Sequence, residues 1–318
     1  EERWRVNRKY QRRSMIARSF GGRVSTFVSA FTVGKQERSR TAISTRMTSK
    51  MAVSVVPKET LYVSEPDPAW FGNGKNESSN PGWTNANWLK SRFHFSFAEH
   101  TNGKPKFGVL RVLNDDLVQP SRGFGTHPHS NMEIVTYVVD GELTHKDSMG
   151  TSESLGRGSV QFMTAGTGVM HSEYNDDDKN PLRFIQMWIL PRKRGLKPNY
   201  GSYRGGGCDN ARDKWVHLVS SVESQADAKA KVDQDVNIYV TELSEAGRKL
   251  DLDLEPDRQA YVLAVEGMLT VDLEGASTEK LNQQDAAEIV SKSDRTEQLE
   301  FTAVGGTAHV LVVEMANG

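Results

Sequence analysis

The sequence has few of the features that stabilise small secreted proteins or span membranes. It contains a single cysteine, Cys208, in 318 residues, so no intrachain disulfide can form and no thiolate cluster can bind zinc. No stretch approaches the roughly 18 consecutive apolar residues that a transmembrane helix needs. We therefore expect a protein without membrane association, whose chemistry depends on nitrogen and oxygen ligands.

The chain also lacks a large net charge, at a formal −1. This balance hides an asymmetry, because residues 1–50 hold 13 Lys and Arg against three Glu, while the remainder holds 27 Lys and Arg against 38 Asp and Glu. An acidic body disfavours contact with a phosphate backbone, which requires clustered basic residues. We expect no direct binding to nucleic acid.

Residues 1–56 form a basic N-terminal extension rich in Arg, Ser and Thr. This composition is typical of an organelle transit peptide and predicts import into a plastid or mitochondrion. The alternative is a disordered tail, or sequence upstream of a true start at Met15, Met47 or Met51. The protein would then act in the cytoplasm or nucleus.

From Pro57 onward, short apolar runs alternate with turn-forming residues, a pattern typical of β structure. We predict two domains, at 57–195 and 215–318, joined by a linker at 196–214 that is rich in Gly and charged residues. Predicted strands are 107–113, 133–139, 159–165, 183–190, 236–243, 249–255, 260–267, 268–275, 297–304 and 308–315. Residues 222–232 have a helix-favouring composition. The sequence predicts an all-β protein with few short helices.

Two histidines lie close together in the segment GFGTHPHSNMEI, residues 123–134. Side chains at positions i and i+2 of a strand point to the same face, so His127 and His129 can converge on one metal ion. The preceding Gly-Phe-Gly predicts a turn. These two histidines are the first candidates for metal ligands.

His171 and Glu173 show the same spacing in the segment GVMHSEYN. If the two strands meet inside one barrel, four groups surround a single cavity. A His-x-acid pair also arises readily by chance, as His145 and Asp147 illustrate, so spacing alone leaves a structural or surface role open for His171 and Glu173. Imidazole and carboxylate ligands suit Fe(II), Mn, Co, Ni or Cu, with Zn as a further candidate, and leave coordination positions open.

The segments GTHPHSNMEIVTYVVDGELTHKDSMG and GSVQFMTAGTGVMHSEYN resemble the two cupin motifs of pirins, in particular the bacterial pirins with quercetin 2,3-dioxygenase activity. The resemblance is close over residues 83–203 and extends in outline to the C-terminal half. It implies a bicupin, with two jelly-roll (double-stranded β-helix) barrels and one mononuclear metal, usually iron, in the first barrel only. The family's metal ligands correspond to four positions here: His127, His129, His171 and Glu173. Glu133 occupies a position that is a ligand in many other cupins. Here it becomes a candidate for positioning the metal ligands without binding the metal itself.

The resemblance implies a dioxygenase that uses O2 to cleave the heterocyclic ring of a flavonol such as quercetin. In that scheme Glu173 is also the base that accepts the 3-hydroxyl proton. Candidates to line a pocket over the metal are Phe124, Met163, Met170 and Trp188. Other pirins resemble transcriptional cofactors, so the alternative is a redox-sensing iron protein that binds a protein partner. We expect a monomer.

Overall fold

The structure is a computed structural model that describes residues 51–74, 88–205, 210–273 and 277–317. Within these ranges the chain forms strands β1 to β20 and short 3-10 turns at Lys58–Thr60 and Pro68–Phe71. The predicted all-β fold is confirmed. None of the helices in these ranges is long and apolar enough to cross a bilayer. The predictions for residues 1–50 and for Cys208 lie outside the described residues.

The first barrel consists of a seven-stranded and a four-stranded antiparallel sheet. Its strands are β2 (Tyr62–Ser64), β3 (Leu89–Phe93), β4 (Leu110–Val118), β5 (Arg122–His129), β6 (Glu133–Asp140), β7 (Glu142–Asp147), β8 (Ser152–Gly156), β9 (Val160–Thr164), β10 (Val169–Asn175), β11 (Leu182–Ile189) and β12 (Asn199–Tyr203). The orders are β12-β9-β6-β11-β4-β3-β2 and β5-β10-β7-β8. Apolar side chains such as Trp88, Leu143 and Phe184 fill part of the space between the sheets.

The second barrel is built from one nine-stranded sheet. Its strands are β1 (Met51–Val56), β13 (Val216–Ser221), β14 (Ala230–Val232), β15 (Val236–Leu243), β16 (Lys249–Leu254), β17 (Arg258–Leu273), β18 (Ser277–Leu281), β19 (Ala286–Ser291) and β20 (Glu297–Ala316). The path is β1-β19-β17-β20-β15-β13-β14, with β16 on β20 and β18 on β17. The fold of two cupin barrels follows the prediction.

Both faces of the central strands are buried, which explains their nearly continuous apolar sequences. On β17, Tyr261 and Leu263 belong to an apolar cluster shared with Val135 and Ile185 of the first barrel. The intervening Val262 lies in the second barrel's own core. The two barrels are therefore packed back to back through one apolar layer.

Two pairs of predicted strands are single long strands. The predictions 260–267 and 268–275 merge into β17, and 297–304 and 308–315 merge into β20. Register shifts between β17 and β20 near Gly267 bend the strands without ending them. Gly267 has φ +71°, and a Cβ there would lie 2.1 Å from the Thr307 carbonyl oxygen, so this bend requires glycine.

Two boundary predictions and one helix prediction are corrected by the structure. Residues 51–56, assigned to the N-terminal extension, form β1 and pair with β19. Residues 199–203 of the predicted linker form β12 and pair with β9. Residues 222–232 are not helical: they form an irregular connection that ends in β14, because tertiary pairing overrides weak helix propensity.

Candidate metal centre

Two neighbouring antiparallel strands, β5 and β10, carry the four predicted ligands. His127 lies directly opposite His171, and the register shifts so that Glu173 lies opposite Phe124. This shift places an extra residue on β5, which is a β-bulge. Both His-x-His and His-x-Glu pairs are thus on strands, as their spacing predicts.

Gly123 and Gly125 lie within β5 and not in a turn, contrary to the prediction from Gly-Phe-Gly. A Cβ on Gly123 would lie 2.4 Å from the backbone oxygen of Glu173, and one on Gly125 would lie 2.5 Å from the Phe71 carbonyl oxygen. Glycine is needed for these close approaches. The Gly125 carbonyl accepts a hydrogen bond from Nδ1 of His127 at 2.8 Å, which leaves the Nε2 lone pair available to a metal.

The three imidazoles converge on one another. Ring centroids are 4.8 Å apart for His127 and His129, 4.5 Å for His127 and His171, and 4.9 Å for His129 and His171. Burial lowers the pKa of all three, to about 4 for His129 and about 2 for His171, and the neighbouring imidazoles lower both values further. All three are therefore neutral at pH 7. Within the described part of the chain, neither ring nitrogen of His171 has a hydrogen-bond partner.

Glu173 lines the same cavity, where three donors hold its carboxylate. Oε1 accepts hydrogen bonds from Thr136 Oγ1 at 3.1 Å and Gln161 Nε2 at 2.8 Å. Oε2 accepts one from Gln186 Nε2 at 2.9 Å. Burial raises the pKa of Glu173 to about 7, and these hydrogen bonds oppose the shift. The carboxyl therefore titrates close to neutral pH.

A second group of metal-ligating atoms shares His171 with the first. One ligand atom each of His145, His171 and Glu173 lie within 4.8 Å of one another. The His145 ring stacks on Tyr200 at 4.5 Å, and its Nε2 lies 3.2 Å from Asp147 Oδ2, consistent with the structural role predicted for this pair. The Glu173 carboxylate thus lies close to His145 and His171, but it does not belong to the group formed by His127, His129 and His171. Its role as ligand and base stays a prediction.

Sequence reasoning missed Thr136, Gln161 and Gln186. Each is a polar residue in the middle of a strongly apolar strand, in EIVTYVVD, VQFMT and LRFIQMWI. A polar side chain on such a buried strand requires a hydrogen-bonding partner inside the protein. That requirement was the available signal, although it does not identify the partner.

Glu133 does not support the ligands, contrary to the prediction. It is completely buried, does not line the cavity, and accepts a hydrogen bond from Thr164 Oγ1 at 2.7 Å. On β6 Ile134 lines the cavity, so the adjacent Glu133 points to the opposite face. Residues 130–132 interrupt the strand between His129 and Glu133, so the even spacing of Glu133 from the two histidines does not place it on their face.

The histidines form one wall of an open cavity of about 210 Å³ between the two sheets of the first barrel. Most of its large side chains are aromatic: Trp70, Phe71, Phe93, Phe97, Phe124 and Trp188. Of the four predicted pocket residues, Phe124 and Trp188 line the cavity. Met163 packs in a neighbouring apolar core, and Met170 is 42% exposed at the surface. A lining of this kind suits a flat aromatic ligand.

The donor set fits a transition metal. Three neutral imidazoles and a nearby buried carboxylate, without a thiolate, suit Fe, Mn, Co, Ni, Cu or Zn. A buried polar atom without a partner destabilises the fold by about 1–3 kcal/mol, and an ion bound to His171 would supply the partner. The described residues therefore form a site that can hold one metal ion.

Two cupin barrels with a histidine cluster in the first define a bicupin. The model of the pirin family matches residues 76–189, and that of the quercetinase C-terminal cupin domain matches residues 218–315. The chain is 38% identical over 198 residues to the quercetin 2,3-dioxygenase of Escherichia coli strain K12, covering 62% of this chain and 83% of that enzyme. It is 38% identical over 209 residues to a pirin-like protein of Caulobacter vibrioides, covering 65% of this chain and 86% of that protein. The protein belongs to the pirin family.

Among solved structures, the chain is similar to the bacterial pirin YhhW of Escherichia coli in complex with nickel(II). The TM-score is 0.67 at 27% sequence identity, covering 84% of this chain and 100% of that one. Nickel is one of the metals that the donor set in this chain suits. The identity of its own metal stays a prediction.

Proposed function

We propose that this protein is a metal-dependent dioxygenase that cleaves the heterocyclic ring of a flavonol such as quercetin, with Fe(II) as its metal. The observation that carries the proposal is the position of three neutral imidazoles in the wall of a deep cavity lined by aromatic side chains. The name of the similar Escherichia coli protein, quercetin 2,3-dioxygenase, agrees with it. A redox-active ion held there supplies Lewis acidity and access to dioxygen.

The side chains of the cavity bind and orient the substrate. Phe124 and Trp188 offer aromatic faces against which a flat ring system can pack while water is excluded. Glu173 is the group that accepts the 3-hydroxyl proton, because its Oε2 accepts only one hydrogen bond from the described residues and has room for a further donor. A base with a pKa near 7 is well matched to this transfer at neutral pH.

The test measures flavonol consumption by absorbance and oxygen uptake together. We expect turnover by Fe(II)-loaded protein in air, none under argon, and none in the double variant His127→Ala, His129→Ala. His217→Ala is the matched control, because this histidine lies in the second barrel against Tyr239 and Asn237, and it is expected to retain turnover. Undiminished turnover by the metal-free double variant would contradict the proposal.

A further inference from the structure

Four neighbouring strands of the seven-stranded sheet each place one polar side chain at the same level. The pairs across this row are Gln161 with Thr136, Thr136 with Gln186, and Gln186 with Asn114. Residues directly opposite each other on antiparallel strands share a face. The first three side chains hold Glu173 through hydrogen bonds, whereas the fourth, Asn114 on β4, has no hydrogen bond to it.

Asn114 is not needed to position its neighbour in the row. The Gln186 amide already has a partner at each end: Nε2 donates to Glu173 at 2.9 Å, and Oε1 lies 3.2 Å from Thr136 Oγ1, whose single proton is shared with Glu173. Asn114 lines the cavity and is 5% exposed, and its Oδ1 has no hydrogen-bond partner among the described residues. A buried amide acceptor left in this state is destabilising, so Asn114 Oδ1 is available to a hydrogen-bond donor that enters the cavity.

Asp116 lies two residues further along β4 and lines the same cavity. It is buried and accepts a hydrogen bond from the Ser91 hydroxyl on β3. Burial raises the pKa of Asp116 to about 8, so this carboxyl is uncharged at neutral pH and can donate a hydrogen bond. With Phe93 and Phe97 also in the lining, this wall combines uncharged polar groups with aromatic rings.

We propose that Asn114, assisted by Asp116, is a specificity-determining residue that binds a hydroxyl group on the substrate ring remote from the metal. The proposal rests on the proposed function and deepens it, since it restricts the substrates to hydroxylated flavonols. An amide both donates and accepts hydrogen bonds, and so does a phenolic hydroxyl group. A site built to pair with a hydroxyl rejects analogues that lack it, because its own polar groups are then left unpaired.

The experiment compares two flavonols on the full, nickel-loaded chain under argon, so that binding is measured without turnover. Quercetin carries two hydroxyl groups on its pendant ring and galangin carries none. By titration calorimetry we expect wild-type protein to bind quercetin about 10-fold more tightly, as one well-placed hydrogen bond implies. Asn114→Leu should reduce this ratio to about 1 by weakening quercetin alone. Asn114→Ser, which replaces the amide with a hydroxyl group on a shorter side chain, should retain part of the preference.

The control is Asn199→Leu, the same change at an exposed position of β12, which should keep the wild-type ratio. Metal content is measured for every variant. Equal affinities of the wild type for both flavonols, or an equal loss of both in Asn114→Leu, would overturn the subsite while the proposed function stands. If the wild type binds neither flavonol, the proposed function fails, and this proposal fails with it.

Discussion

Burial acts in opposite directions on the imidazoles and on the carboxyl of the metal centre. It lowers the pKa of His127, His129 and His171, to about 4 for His129 and about 2 for His171, and it raises the pKa of Glu173 to about 7. A metal requires neutral imidazoles and an ionised carboxylate. On acidification, protons therefore compete with the metal first at Glu173 and at lower pH at the histidines.

This order predicts how metal affinity depends on pH. In the wild type, affinity should fall by about tenfold per pH unit below pH 7, because one proton must leave Glu173 for each ion bound. In Glu173→Gln, affinity should start lower but fall less steeply from pH 7 to pH 5, since burial lowers the pKa of all three imidazoles below the usual value. Competition with a coloured chelator from pH 5 to 8 measures the metal affinity of the wild type and of the variant. A level wild-type profile would mean that Glu173 is not a ligand.

At the scale of the element, β1 completes one edge of the nine-stranded sheet. Its residues pair with β19 from Met51 opposite Ser291 to Val56 opposite Ala286, and Met51 is buried in the core of the second barrel. Without β1 the backbone of β19 would be exposed as a new edge, and such edges pair readily with other chains. The strand therefore contributes both stability and protection from association.

We expect a chain that begins at Pro57 to be less stable than one that begins at Met51. Loss of the buried Met51 side chain alone costs about 2 kcal/mol. If both barrels unfold together as one unit, this loss lowers the Tm by about 4–8 °C. Scanning calorimetry of the two chains tests this, and size-exclusion chromatography over a range of concentrations should detect association of the shorter one. Equal Tm values would show that β1 adds nothing to the second barrel.

At the scale of the whole molecule, a buried ion pair adds directional hydrogen bonds to the apolar layer between the barrels. Arg183 binds Asp115 in bidentate fashion, with Nε to Oδ1 at 2.8 Å and Nη2 to Oδ2 at 2.7 Å. Both groups reach the second barrel, because Arg183 Nη2 donates to the Val265 carbonyl and Gln284 donates to Asp115, each at 2.8 Å. Such a network fixes how the apolar surfaces meet.

Removal of the cation should therefore be strongly destabilising. Arg183→Met leaves Asp115, which is 3% exposed, as an unpaired buried carboxylate, and we expect the free energy of unfolding to fall by about 3–5 kcal/mol. Lys249→Met breaks the exposed pair with Glu300 and should cost less than about 1 kcal/mol. Urea unfolding measures the free energy of unfolding of both variants. Equal losses would show that the ion pair does not hold the barrels together.

Strand periodicity was sufficient to predict the β fold and the position of the histidines. His127 and His129 could be placed on one face because i, i+2 spacing within a strand is a local property. Pairing between distant strands is not local, which is why β1 and β12 were assigned to an extension and a linker. For the same reason the sequence does not show that Glu133 points away from the histidines, since the chain leaves the strand between His129 and Glu133.

The residues that hold Glu173 were beyond prediction for a related reason. Thr136, Gln161 and Gln186 lie on three different strands, and nothing within any one strand indicates that they bind the same carboxylate. Only the register between the strands brings them together.

The polar row that ends at Asn114 also restricts how this protein can change in evolution. Each of its four strands contributes one member, and strand side chains alternate between cavity and interface. Deletion of a single residue from the middle of β11 would turn Gln186 towards the second barrel and bring an apolar neighbour against Glu173. Substitutions at the row can therefore adjust the chemistry of the cavity gradually, whereas changes in chain length are confined to the connecting loops.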